Sequence, residues 1–222
     1  MWAFVLHTTA ASIMTYGYRS LDALPLQAWI KQQKGGHAQF LTMQGLAGSW
    51  FYMILSIICD LYPSLKTRLQ DVKRVLLMIA LPLAFVVTSI YWSLYIFFPT
   101  LILRPEEPTG SEPTSSSTAP KLMRIPLHID LSVHAVPLIT LLVDFFLFER
   151  KFAPRQTRMT APAIVFVYGI WYASFVEYCS RFNGTFPYPF LTVNPFGVRV
   201  VIYTVVAGLA LASLRLLNAL HS

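Results

Sequence analysis

The feature that most constrains this chain is its repetition of long apolar runs. Six can be drawn along its 222 residues, at about 2–18, 39–61, 74–101, 127–148, 160–180 and 197–219. A helix that crosses a bilayer needs about 20 mostly apolar residues. The expected fold is therefore all-α: one polytopic bundle of six transmembrane helices filling residues 1–222. Charged residues make up 12% of the chain and hydrophobic residues 55%. A soluble domain carries about 25% charged residues, so a water-soluble globular enzyme is excluded. The apolar richness likewise excludes a disordered chain.

The net charge of +7 falls in short segments between the apolar runs, where juxtamembrane lysine and arginine sit. No basic-aromatic RNA motif or zinc-finger spacing accompanies it, so no nucleic-acid partner is expected. Cys59 and Cys179 form no CxxC pair, and the topology puts them near opposite faces, which predicts no disulfide.

The runs are not equivalent. The first, WAFVLHTTAASIMTYGY, is short and carries His7 with several hydroxyls. It is read as a span because it lacks the basic n-region and small-residue cleavage site of a signal peptide. The third is long enough to tilt, contains Pro82, and crowds Tyr91, Trp92 and Tyr95 into its C-terminal half. Residues 105–120 are rich in Ser, Thr and Pro and read as a flexible loop between spans three and four. Even-numbered spans put both termini on one face. That face carries two dense clusters, Lys66, Arg68, Lys73 and Arg74, then Arg150, Lys151, Arg155 and Arg158. Both termini are therefore expected in the cytosol. The Asn183-Gly184-Thr185 sequon then falls in the lumen, as does the 105–120 loop.

Ionisable residues at membrane depth each need a reason, because insertion costs about 2.5–3.5 kcal/mol. In the fourth span Asp130 and His134 are four residues apart, on one helix face, where the carboxylate can orient the imidazole. Asp144 lies fourteen residues beyond Asp130 and reads as a solvated carboxylate at the cytosolic interface. Thr42 opens the second span about one turn inside the luminal boundary. A lone threonine in a span usually bonds back to its own helix. Here it shares the depth of His134, and a hydroxyl that meets an imidazole can become an activated nucleophile. Trp171, Tyr172, Glu177, Tyr178 and Arg181 close the fifth span on the same side, with Glu177–Arg181 at salt-bridge spacing, and Arg199 opens the sixth. No G-x-S-x-G, HExxH or P-loop motif is present.

Three motifs give the chain a family likeness. They are Phe40-Leu41-Thr42, His134 followed by Pro137 and an aliphatic run, and Trp171…Gly184…Tyr188-Pro189-Phe190-Leu191. The sequence resembles the androgen-induced-1 family of integral membrane proteins, which includes the androgen-dependent regulator of tissue factor pathway inhibitor. The resemblance implies a threonine hydrolase of fatty-acid esters of hydroxy fatty acids, with Thr42 as nucleophile and His134 as base. Asp130 is expected to orient His134, the part an aspartate plays in serine triads. The oxyanion donor is expected among Tyr91, Tyr95, Tyr178 and a backbone amide near Thr42. The substrate is expected to come laterally from the bilayer and to contact Tyr91, Tyr95, Trp171, Tyr178 and Arg199, with Arg199 or Arg181 meeting its free carboxylate. No metal or organic cofactor is expected.

Two other readings compete: a proton-coupled transporter using Asp130, His134 and Asp144 as a relay, and a non-catalytic membrane scaffold. The expected location is the endoplasmic reticulum or the plasma membrane; the C-terminal Leu220-His221-Ser222 carries no retention signal.

Overall fold

The computed structural model describes residues 1–105 and 122–221, so the loop expected at 105–120 lies outside the described residues from 106 onward. Among the described residues the chain is all-helical, apart from one isolated bridge between Pro105 and Leu122. The α-helices are α1 (Trp2–Ser20), α2 (Leu26–Gln32), α3 (Leu41–Leu61), α4 (Pro63–Phe97), α5 (Leu127–His134), α6 (Val136–Leu147), α7 (Ala161–Asn183), α8 (Pro189–Thr192) and α9 (Phe196–Leu220).

Among the described residues four segments are long and apolar enough to cross a membrane: α3, α4, Gln156–Asn183 (which ends in α7) and α9. The helices α5 and α6 meet at 41° and make a fifth if taken as one broken span. The break has an identifiable cause. Pro137 has no N–H to continue the ladder and is found one residue into α6. The N–H that Pro137 lacks would have met the Val133 carbonyl; the next carbonyl, that of His134, accepts from the Thr88 hydroxyl of α4 at 2.7 Å. A proline downstream of His134 thus fixes the backbone that carries the imidazole.

The helix α4 runs unbroken through Pro82 and forms the centre of the bundle. It packs against α3, α5, α6, α7 and α9. Met14, Leu46, Tyr52, Leu81, Val133, Leu141 and Phe145 fill the main core between α1, α3, α4 and the bent pair. The helices α7 and α9 pack on each other and on α4, and turn Phe166, Val167, Val201 and Val205 outward. Exposed apolar faces of this extent suit contact with lipid.

The helix α1 runs the length of the bundle. At one end His7 meets Asp60 of α3 and Asp144 of α6; at the other Gly17 packs against Ser132 and Val133 of α5. His221, near the C-terminus, meets the carbonyl of Phe145, so both termini lie at the same end.

That terminal end holds a buried polar cluster. His7 bonds Asp60 through Nδ1 and Asp144 through Nε2, both at 2.7 Å. Tyr52 donates to the second oxygen of Asp144. Lys73 pairs with Glu149 at 2.7 Å and lies over the Tyr52 ring. The expectation of a solvated Asp144 is corrected: it is fully buried and satisfied by two partners. A carboxylate this deep is held because it is paired.

Candidate active site

Thr42 and His134 lie at the opposite end from the termini, at the wall of one cavity. Thr42 is the second residue of α3 and is buried. Its backbone N–H, one of the first-turn amides without a helical partner, donates to the Tyr188 hydroxyl at 3.4 Å. Its side chain differs from those of four other helical threonines. Thr8, Thr15, Thr140 and Thr204 each donate to the carbonyl four residues earlier. Thr42 makes no such bond, and the carbonyl four residues before it, Ala38, is taken by Gln44 Nε2. Its hydroxyl is left uncommitted to the helix.

His134 ends α5. Its Nδ1 donates to Asp130 Oδ1 at 2.7 Å, at the helical spacing predicted. That bond fixes the tautomer and leaves Nε2 with its lone pair. The Tyr91 ring lies flat on the imidazole, with centroids 3.5 Å apart and planes within 2°. Asp130 is fully buried; among the described residues neither its Oδ2 nor the Tyr91 hydroxyl, both buried, has a hydrogen-bond partner. Among the described residues no hydrogen bond joins Thr42 to His134. Catalytic hydrogen bonds are often long before substrate binds, so the shared cavity is the informative observation.

Two cavities meet at Thr42. The larger, about 130 Å³, lies between α4, α7 and α9 and is almost wholly apolar, with Pro82, Val86, Ile164, Tyr172 and Ile202 in its wall. The smaller, about 100 Å³, lies beneath α2 and the loop before α3, and includes His37, Arg104 and His134. Thr42, Tyr91, Ile102 and Tyr188 line both.

The segment after α7 builds the far side of the site. Gly184 caps α7 in the left-handed conformation (φ 65°), a turn that favours glycine. The Phe186 N–H then bonds the Thr192 hydroxyl, and the chain presents Tyr188 toward Thr42. Desolvation holds the Tyr188 phenol above its usual pKa, so it remains a neutral donor. From α7, Tyr172 donates to the Gln39 carbonyl at 3.1 Å and Tyr168 to the Gln44 side chain, fixing the start of α3.

Several expected contacts are corrected. Trp171 and Tyr178 are 51% and 48% exposed and line neither cavity. Tyr172, one residue and about 100° further round the helix, is the inward ring. Tyr95 is held by Arg124 and stands outside both cavities. Arg199 is not free for a substrate carboxylate: Nε and Nη2 bond Glu177 at 2.6 and 2.8 Å, and Nη1 bonds the Asn194 carbonyl. Glu177 therefore pairs with Arg199, not Arg181, and also accepts from Tyr203. Arg181 is exposed and lines neither cavity. The Asn183 carboxamide of the sequon bonds the Lys34 backbone in both directions. Both cysteines are free and buried. Tyr188 and Arg104 were not singled out as site residues; Tyr188 lay within a family motif but carried no role.

Helices of this length and apolarity, arranged around a buried polar site, define a polytopic helical membrane protein. The sequence profile described as FAR-17a/AIG1-like protein matches residues 2–222, and the chain belongs to that family. It is 26% identical over 221 residues to a UPF0641 membrane protein of Schizosaccharomyces pombe, covering 99% of this chain and 90% of the relative. It is 25% identical over 224 residues to a UPF0641 membrane protein of Saccharomyces cerevisiae, covering 95% of this chain and 87% of the relative. No solved structure matches it.

Proposed function

We propose that this protein is an intramembrane esterase that hydrolyses fatty-acid esters of hydroxy fatty acids, with Thr42 as nucleophile and His134 as general base. The observation that carries the reading is one apolar chamber that presents both an uncommitted threonine hydroxyl and an imidazole oriented by a buried carboxylate.

The ester carbonyl comes to rest beside Thr42, where the cavities meet. His134 Nε2 takes the Oγ1 proton as the oxygen bonds the carbonyl carbon. The imidazolium is stabilised by Asp130, and Tyr91 keeps its ring in plane. The oxyanion needs a donor. Tyr188 accepts from the Thr42 N–H, so its own proton is available for that role. The C–O bond to the hydroxy acid then breaks, and His134 returns the proton to the departing alkoxide. Water, deprotonated by His134, attacks the acyl-threonine; the fatty acid leaves and the Thr42 hydroxyl is restored. The residues named complete this cycle without a metal or cofactor.

In this reading the bundle has six spans, because α1 is as long as the bundle although less apolar than the rest. Both termini face the cytosol, on the density of Lys and Arg at their end, and the site faces the lumen of the endoplasmic reticulum or the outside of the plasma membrane. Thr42→Ala and His134→Ala, each purified in detergent and checked for folding, should lose nearly all hydrolysis of such an ester. Turnover retained in Thr42→Ala would remove the covalent mechanism.

A further inference from the structure

Among the described residues four basic side chains are paired with carboxylates. Arg199 has Glu177, Lys73 and Arg74 have Glu149, and Lys31 has Asp22. Arg104 differs. Its guanidinium lies 3.6 Å over the Trp29 ring, and Nη2 donates to the Phe186 carbonyl at 2.7 Å and to the Thr185 hydroxyl at 3.4 Å. Among the described residues no carboxylate lies within ion-pair distance of it. Among the described residues its remaining donors, Nε and Nη1, have no acceptor, yet it borders a mostly apolar cavity. Burial lowers its pKa, but an arginine stays charged.

A half-buried cation held in place from behind, with part of its fork unused, is unfavourable unless something anionic completes it. The same cavity reaches Thr42 and His134. The other lobe, beyond Thr42, contains no charged side chain. A ligand that fits both lobes has an uncharged apolar arm, a reactive centre at Thr42, and a second arm ending in an anion.

We infer that Arg104 binds the free carboxylate of the substrate's hydroxy-acid arm and so sets the direction in which the ester lies across Thr42. This rests on the esterase reading and adds the group that reads the leaving acid. Trp29 supports the guanidinium plane, and the Phe186 carbonyl and Thr185 hydroxyl turn its unused edge to the cavity. The acyl arm then occupies the apolar lobe between α4, α7 and α9. The position of the ester along the hydroxy acid must match the span from Thr42 to Arg104, so the protein should discriminate among positional isomers.

The test separates recognition from chemistry. Binding is read with the fluorescent fatty acid parinaric acid, and with its primary amide, on Thr42→Ala protein in detergent. The acid should bind about 10- to 100-fold more tightly than the amide, the range for a charged hydrogen bond. Adding R104Q should abolish that preference while leaving amide binding unchanged. R104K keeps the charge and a donor for Phe186 but loses the fork, and should retain only part of the preference; it carries the test if R104Q misfolds. On otherwise wild-type protein, R104Q should raise KM for the carboxylate-bearing ester by a similar factor and leave the amide-capped ester unaffected. Equal binding of acid and amide, or a preference that survives R104Q, overturns the inference. Absence of hydrolysis by the wild-type protein, with the acid preference present there and lost in R104Q, counts against the esterase reading and not against Arg104.

Discussion

Asp130→Asn probes the coupling that the site depends on. The side chain keeps its shape, so packing in a fully buried position is preserved. Two things change. The 2.7 Å bond to His134 Nδ1 loses its charge, and with it the stabilisation of the imidazolium that forms as Thr42 gives up its proton. A hydrogen bond to a charged group is worth about 1.5–3 kcal/mol, or roughly 10- to 150-fold in rate. The second change is in the tautomer. If the amide presents its NH2 to Nδ1, the ring proton moves to Nε2 and the base is lost. In serine triads the equivalent change lowers kcat by about 10⁴. The expected result here is a fall in kcat of about 10²–10⁴ with KM within about threefold of wild type. Asp130 reaches the substrate only through His134, so binding should be spared. The assay is steady-state hydrolysis in detergent micelles, normalised to folded protein by size exclusion. A variant with kcat within threefold of wild type would refute the orienting role. A rise in KM with kcat unchanged would show that Asp130 touches substrate instead.

Three further outcomes follow from particular contacts. Gly17→Ala puts a Cβ 2.7 Å from Ser132 Cβ and 3.0 Å from Val133 Cγ1, so α5 must shift; overpacking of this kind costs about 1–3 kcal/mol, to be read as a lower Tm in detergent with reduced activity. His7→Ala leaves Asp144 and Asp60 without their shared partner, and breaking a buried pair costs about 3–5 kcal/mol, so thermal unfolding should show a large loss of stability. Tyr188→Phe removes the hydroxyl next to Thr42 and should lower kcat by about 10²–10³ if it serves the oxyanion, whereas Trp171→Ala, on the outer face of α7, should leave kinetics within twofold.

The helical membrane class was legible because it depends on apolar run length, which needs no tertiary information. The Asp130–His134 bond was legible for a similar reason: i,i+4 spacing is local geometry. What failed was the rotation of helices about their own axes. Trp171 and Tyr172 are neighbours in sequence, but only packing against α3 decides which ring faces inward. Long-range partners were equally hidden. Asp144 looked solvated because its place in the span put it near the cytosolic interface; its partners His7 and Tyr52 come from α1 and α3. Arg199 looked available because Glu177 had a nearer match in Arg181 by spacing alone. Arg104 and Tyr188 sit in connecting segments, whose course no periodicity predicts. Pro137 was visible, but its effect, a bend that hands the His134 carbonyl to Thr88, required a second helix to be in place.

The most direct test is to find where a reactive electrophile becomes attached. Purified protein treated with a fluorophosphonate probe, digested and mapped by mass spectrometry should carry the adduct on Thr42 Oγ1. The adduct should be absent from Thr42→Ala and strongly reduced in His134→Ala. A preparation that hydrolyses the ester while labelling a different residue, or that labels Thr42→Ala as fully as wild type, would contradict the assignment of Thr42 as the nucleophile.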